Sequence, residues 1–474
     1  MHKHLLATAA TALLLGGCSL MPTYERPAAP VPATYGASAA DSAGAPASAP
    51  QTLAPPAWKD YFTDPRLQQL IALALDNNRD LRMATLAIEQ ARAQWQIQRS
   101  AQWPQIGLGA NAARAPNSSG NLSNTYSVGG ILSAWELDFF GRLGSLKEQA
   151  LAQYLASEEG RNAAQTSLIA AVASAWLALQ ADEEGLDISR RTLATREESL
   201  ALMKLRLDVG TASELDYRQV QSLTEAARVT LAQQQRQRAL NENALALLLG
   251  QPLPPELRAS LPGSRLIEVP SMTALPAGLP SDLLAHRPDI RQAELQLKAA
   301  NANIGAARAA FFPRISLTAQ AGTASSELSE LFKSGTWAFS PTLSALLPIF
   351  DAGRNQAALQ AAQAGRDMAV AQYEKSIQSA FREVSDALAS QGTLDEQLRA
   401  SQAQLQAEQA RLRLAQLRYD NGVASYLDLL DAQRSLFSLE QAVVQVRLQQ
   451  LQNQVQLYKA LGGGWPAPEA QALL

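Results

Sequence analysis

The sequence predicts a mainly α-helical chain with β-barrel strands, built twice from one unit of helix, β-hairpin, long helix, turn and helix. Three observations carry this. Gly210-Thr211-Ala212-Ser213 returns 212 residues later as Gly422-Val423-Ala424-Ser425, each followed by Leu and Asp at the same offsets. Apolar residues recur at every seventh position in the long stretch before each turn, the period of helices that coil around a neighbour. Two pairs of short segments alternate apolar with polar or small side chains, as two-faced strands do.

The bulk numbers agree with such a chain. Its 474 residues are 47% hydrophobic and 18% charged, with a formal net charge of −3. That is a globular composition without the basic excess that nucleic acid requires, so no nucleic-acid partner is expected. Aromatics make up only 6%, which favours long packed helices over a sandwich core. No apolar run is expected to reach the ~20 residues of a transmembrane helix, so a membrane crossing would need another device.

Cys18 is the only cysteine, which rules out an intrachain disulfide. It follows a stretch, residues 1–17, that reads as a signal peptide: His2-Lys3-His4, then an apolar run from Leu5 to Leu15. Leu15-Gly16-Gly17-Cys18 matches the bacterial lipobox, in which the cysteine is acylated and becomes the mature N-terminus. Ser19, not Asp, follows it, which resembles default sorting to the outer membrane. The diacylglycerol and N-acyl chains expected on Cys18 would anchor the chain, each buried CH₂ contributing ~0.8 kcal/mol. Residues 18–56 are rich in Pro, Ala and Ser and read as an extended tether.

The first repeat is expected over 57–250. A helix runs from about Arg66 to Ser100, where Trp103-Pro104 stops it. Strands follow at 105–115 and 125–139, separated by a polar loop, and Gly141-Arg142 ends the hairpin. The long helix covers 143–207, about 65 residues or ~98 Å at 1.5 Å per residue. Val172, Leu179, Leu186, Leu193, Leu200 and Leu207 form its seven-residue stripe, and packing is the reading of that stripe. Past the turn, a helix spans 214–249. Residues 251–280 are Pro-rich and read as an irregular link.

The second repeat, 281–462, answers the first. Arg287-Pro288-Asp289-Ile290 matches Asn78-Arg79-Asp80-Leu81, and Phe312-Pro313 matches Trp103-Pro104, both at an offset of 209. Strands are expected at 314–324 and 336–350, then a long helix at 355–419 and a helix at 426–461, with a tail at 463–474. From Gly353-Arg354 the offset is 212 and holds through Gly462, which matches Gly250. The stripe recurs as Val384, Leu398, Leu405, Leu412 and Tyr419, with Gln391 the one exception. Such a register marks a duplication.

The lengths then constrain the architecture. Strands of ~11–15 residues can cross an outer membrane at a tilt. Four strands cannot close a barrel, and open edges are not tolerated in lipid, so the chain must oligomerise. Two copies would supply eight strands, three would supply twelve. Trp337, Phe339, Leu347 and Ile349 suit a lipid-facing surface, while Ser, Thr and Ala on the alternate positions suit a wet lumen.

The lipobox, LLAHRPDIRQAELQLKAANANIGAARAAFFPRISLTAQAG, the paired G-x-A-S turns, LLDAQRSL and LYKALGGGW together resemble the TolC-type outer-membrane efflux proteins, and more narrowly the OprM-like lipoprotein branch. The resemblance covers essentially the whole mature chain. It implies a homotrimer forming a twelve-stranded barrel on a coiled-coil α-helical periplasmic tunnel. It also implies a passive exit duct for drugs or other small toxic solutes in the Gram-negative outer membrane. Its partners would be outer-membrane lipid, a periplasmic adaptor protein and an inner-membrane transporter, expected to be proton-driven.

No catalytic constellation or metal-binding spacing is present, so neither an enzyme nor a cofactor beyond the lipid is expected. After cleavage His286 is the one remaining histidine, beside Pro288 in a polar link. The functional candidates lie at the turns. Leu427, Asp431 and Arg434 share one helix face; the first repeat has Leu215, Gln219 and Ser222 there. By the resemblance, Leu427 and Asp431 would line the closed periplasmic constriction and Arg434 would hold the helix closed through a polar contact. Asp216 and Asp428 read equally as helix caps and as pore-lining groups. Gly210 and Gly422 serve the turns, Ser213 and Ser425 the caps. The resemblance adds that the adaptor's helical hairpins dock at these tips.

Three alternatives stay open at this point. A protein-secretion export channel shares the resemblance, though Cys18 and the tether count against it. A metal-ion efflux channel would have no evident ligand relay here. A purely structural envelope-spanning coiled-coil lipoprotein explains the stripes and the lipobox but not the two strand pairs.

Overall fold

The computed structural model describes residues 19–32, 35, 56–116, 118, 120–270, 272 and 286–463. The signal peptide, Cys18 and the tail beyond Gly463 lie outside the described residues. Two compact units emerge, and they cut across the two sequence repeats. One comprises Met1–Ala29, Thr85–Gly160 and Asp289–Ser376; the other comprises Pro30–Ala84, Arg161–Pro288 and Ile377–Leu474.

The first unit carries the strands. β1 (Ile106–Pro116), β2 (Leu122–Leu137), β3 (Arg314–Ser325) and β4 (Trp337–Leu346) form one antiparallel sheet in the order β1-β2-β3-β4. The two hairpins share a register: Ile106 pairs with Leu132 in one, and Ile315 with Ala345 in the other. β2 holds a bulge between Leu132 and Trp135, where Ala134 takes a φ of 41° and its N–H donates to Thr318 Oγ1 at 3.3 Å. Two residues of β2, Ser133 and Ala134, oppose the single Thr318 on β3, as a bulge requires. β4 is exposed along its whole length and ends at Leu346, shorter than the expected 336–350. Its last expected residues have no strand beside them in a single chain. At the foot of the sheet, Glu136 accepts from Arg142 at 2.7 Å and pairs with Arg314 at 2.7 Å.

Residues 19–26 correct the tether reading. They lie along the helix Pro288–Ala309 of the same unit. Arg308 donates to the Leu20 carbonyl at 3.3 Å, and Asn301 donates to that of Pro22 at 2.8 Å. Tyr24 and Arg26 both donate to Glu294, at 3.2 and 3.0 Å. Gly305 lets the backbone approach: a Cβ there would sit 2.9 Å from Met21 Cα. Hydrogen bonds to the helix hold the segment in place.

The second unit holds the main core. Here α1 (Trp58–Tyr61) and α2 (Pro65–Asn77) precede α3 (Arg79–Ser100). The expected single helix from Arg66 to Ser100 is therefore broken, at Asn78. That side chain accepts from Leu81 N–H at 2.9 Å, capping α3, and donates to the Leu248 carbonyl at 2.9 Å. The long helix α4 (Arg142–Asp208) and α5 (Glu214–Leu249) follow. Trp176, Val172 and Leu179 of α4 pack with Leu70, Ile71, Leu245, Leu249 and Tyr458. One window of α4 is apolar enough for a membrane span, against expectation, and half of it is buried. The core explains its composition: Val172 and Trp176 are fully enclosed.

The link after α5 is also more ordered than expected. It forms the short helix α6 (Pro255–Ala259) and a single 3₁₀ turn, and buries Leu253, Leu257, Leu261 and Leu266. Arg447 donates to the carbonyls of Leu266 at 3.3 Å and Val269 at 2.7 Å, pinning the link. The remaining α-helices among the described residues are α7 (Pro288–Ala309), α8 (Arg354–Asp420) and α9 (Tyr426–Ala460).

The duplication is visible in atomic detail. α3 and α7 both have 22 residues, α4 and α8 both 67. Asn78 donates to Leu248 O, and its counterpart Arg287 donates to Ala460 O at 2.7 Å. Gly250 has a φ of 70°, and a Cβ there would lie 2.4 Å from the Asn77 carbonyl. A left-handed, closely approached position admits only glycine without strain.

Candidate gate and hairpin tips

Both tips lie in the second unit and are built alike. After α4, the Gly210 N–H donates to the Leu207 carbonyl at 3.0 Å and Gly210 turns left-handed, φ 77°. After α8, Gly422 does the same on Tyr419 at 2.9 Å, with φ 72°. Ser213 then caps α5: its Oγ accepts from Asp216 N–H at 3.1 Å, and the Asp216 carboxylate accepts from Ser213 N–H at 3.4 Å. Ser425 and Asp428 form the same reciprocal box on α9, at 3.3 and 3.2 Å. These reciprocal bonds satisfy two orphan amides per helix start. The carboxylates of Asp216 and Asp428 are thus engaged as caps.

Between the tips lies a small apolar cluster. Met203, Val220 and Leu430 are buried there, with Leu200, Tyr217, Leu223 and Tyr426 packed on them. Arg206 of α4 donates to the Tyr419 hydroxyl of α8 and lies 5.7 Å from its ring centroid, tying the two long helices together.

On this base sits a groove of about 290 Å³ lined by Gln219, Ser222, Leu223, Leu427, Leu430, Asp431 and Arg434. The three gate candidates therefore do come together. Gln219 and Ser222, two of their counterparts in the first repeat, form the opposite wall. Leu427 is 61% exposed, an unpartnered apolar side chain at the mouth. Asp431 is bridged by two guanidinium groups: Arg434 donates to Oδ1 at 2.6 Å, and Arg411 of α8 donates to Oδ2 at 2.6 Å. Arg411 also reaches Glu408 at 3.0 Å. The bond from Arg411, then the one from Arg434, holds the Asp431 carboxyl below its usual range.

The resemblance gives Arg434 a polar contact that holds the helix closed. Its partner is Asp431, one turn away on the same helix, so within this chain it fixes the carboxylate and does not span helices. Arg411 makes the cross-helix bond, and sequence reasoning missed it. It sits 20 residues before Asp431 on the far side of the turn, and folding the hairpin at Gly422 brings the two together.

The architecture and the tips define the class. The outer membrane efflux protein family matches the chain over residues 70–251 and 279–463, one block per repeat, and the chain belongs to it. The protein is thus a TolC-type efflux channel protein of the Gram-negative outer membrane, OprM-like in its branch. It has the fold class of the trimeric outer-membrane channels and is a transport duct, not an enzyme.

Particular relatives agree. The probable efflux pump outer membrane protein TtgC of Pseudomonas putida is 46% identical, covering 100% of this chain and 98% of its own length. The crystal structure of a membrane protein from Pseudomonas aeruginosa superposes with a TM-score of 0.85 at 42% identity, covering 96% of this chain and 100% of the other. The open state of the Neisseria gonorrhoeae MtrE outer membrane channel gives 0.82 at 41% identity, covering 94% and 98%.

Proposed function

We propose that this protein is the outer-membrane duct of a tripartite efflux pump, exporting drugs or other small toxic solutes and opened at its hairpin tips. Three chains supply twelve strands, enough for a barrel with an open bore. Cys18 carries the acyl anchor, a periplasmic adaptor engages the tips around Gly210, Ser213, Gly422 and Ser425, and a proton-driven inner-membrane transporter supplies the energy. Relatives named for antibiotic and toluene efflux support the solute class.

The observation that carries the gate reading is the Arg411–Asp431–Arg434 bridge beside the exposed Leu427. Only the second hairpin has it, since Gln219 and Ser222 occupy the matching positions of the first. Repeated around a trimer axis, Leu427 and Asp431 close the periplasmic end, and the bridge keeps α9 against α8. On this reading Asp216 and Asp428 line the same aperture in addition to capping their helices.

Purified protein in a planar bilayer tests this. Low conductance in the parent, rising in Asp431→Ala, Arg434→Ala and Arg411→Ala, is the expected result. Unchanged conductance in all three would remove these residues from the gate, and absence of any pore would refute the duct.

A further inference from the structure

We propose that copies of this chain join through a strand seam whose register repeats the internal β2·β3 pairing, setting Ile349, Leu347 and Ala345 opposite Ile106, Leu108 and Ala110 of the next copy. The inference rests on the trimeric-duct reading and adds the residues that close it.

The sheet ends in two open edges, β1 and β4. In a duplicated chain β1 corresponds to β3 and β2 to β4, so a β4·β1 seam between copies is the counterpart of the β2·β3 seam within one copy. That internal seam is observed. Below the bulge, Leu137 pairs with Ile315 and Trp135 with Leu317; above it, Leu132 pairs with Ala319 and Ile131 with Gln320. Counting from Trp103-Pro104 and Phe312-Pro313, Ile315, Leu317, Ala319 and Gln320 correspond to Ile106, Leu108, Ala110 and Asn111. Counting back from Gly141 and Gly353, Leu137 and Trp135 correspond to Ile349 and Leu347. Above the bulge β2 has one residue more than β4, so Leu132 and Ile131 correspond to Ala345 and Ser344. The chain's own hairpins confirm that step, pairing Ile106 with Leu132 and Ile315 with Ala345.

Independent chemistry fits the result. Directly opposed residues share a sheet face. The seam sets the exposed Ile349 against the exposed Ile106 and the exposed Leu347 against Leu108, both strands presenting apolar side chains to one side. On the other face it sets Ser344 against Asn111. A slip of one residue would set Ile349, Leu347 and Ala345 opposite the other face of β1, which carries Gly107, Gly109 and Asn111. It also accounts for the end of β4 at Leu346 in a single chain: residues 347–349 become strand only when the next copy lies alongside.

Engineered cysteine pairs read the register directly, because opposed Cα atoms in an antiparallel pair are ~4.5–5.5 Å apart, within disulfide reach. Leu347→Cys with Leu108→Cys samples one face and Ser344→Cys with Asn111→Cys the other, so one of the two is of the closer kind. After mild oxidation of full-length protein in outer membranes, a covalent ladder ending at three chains on a non-reducing gel is expected. It should collapse with reductant and be absent from the oxidised parent, which retains Cys18. Native electrophoresis of the same samples separates the outcomes. A trimer that cross-links through Leu347→Cys with Ala110→Cys instead, or through neither designed pair, overturns the register but not the assembly. Loss of the oligomer in the parent itself overturns the trimeric reading and the seam with it.

Discussion

Asp431 shows how one carboxylate is set by its neighbours. Two arginines bind it, one on each oxygen, and its pKa is depressed chiefly by the Arg411 bond. A depressed carboxylate contributes its stabilisation above the ordinary value of about 4, and that contribution is lost as pH falls through the lowered pKa. Channel conductance should therefore rise on acidification below about pH 4, and Asp431→Asn should remove that step. Current recorded against pH in the parent and the variant checks both. The bridge is exposed, so salt should weaken it: the fraction of time the channel is open at neutral pH should climb with ionic strength in the parent and less so in Arg411→Ala. Asp431 and Arg434 could be placed on one face from their spacing alone. Arg411 could not, because the turn that delivers it can be seen in the sequence but the angle at which the helices meet cannot.

At the scale of elements, caps and close approaches decide where helices begin and what lies on them. Ser213→Ala and Ser425→Ala each remove one half of a reciprocal box and should cost about 1 kcal/mol of helix-start stability. Faster amide hydrogen exchange confined to the first turns of α5 and α9 is the expected readout. At Gly305 the backbone of the N-terminal segment comes close to α7, and a Cβ there meets Ser145 Oγ as well as Met21. Gly305→Val should lift residues 19–26 from the helix and expose them to limited proteolysis, whereas Ala113→Val on an exposed strand position should not. Helix lengths and strand periodicity were legible because both follow from local pattern. The break at Asn78 and the docking of the segment after Ser19 were not. Each depends on a carbonyl or carboxylate supplied from far along the chain, Leu248 in one case and Glu294 in the other.

For the molecule as a whole, the main core and the strand sheet fall in different compact units, and each draws on both repeats. Stability and channel formation should then respond separately to mutation. Trp176 is fully buried in the core, and Trp176→Ala should destabilise by about 3–5 kcal/mol, seen as a lower midpoint of helical melting. Leu108→Asp, on the exposed edge strand, should leave that midpoint nearly unchanged while blocking membrane insertion, measured by flotation with lipid vesicles. If the two variants behaved alike, the division into units would have no energetic meaning.

The sequence by itself determined the duplicated plan, the tip turns and the placement of Leu427, Asp431 and Arg434 on one face. Those features depend on local spacing, on the backbone freedom of glycine and on capping by serine, all of which can be read from neighbouring residues. Tertiary structure alone decided that Asp216 and Asp428 act as caps, that Arg411 is the cross-helix partner of Asp431, and that the link beyond Gly250 is packed. It also exposed the bulge at Ala134, the one-residue difference between β2 and β4 that sets the register of the seam. Contacts of this kind join residues far apart in the chain, and their energies depend on distances that only the folded backbone fixes.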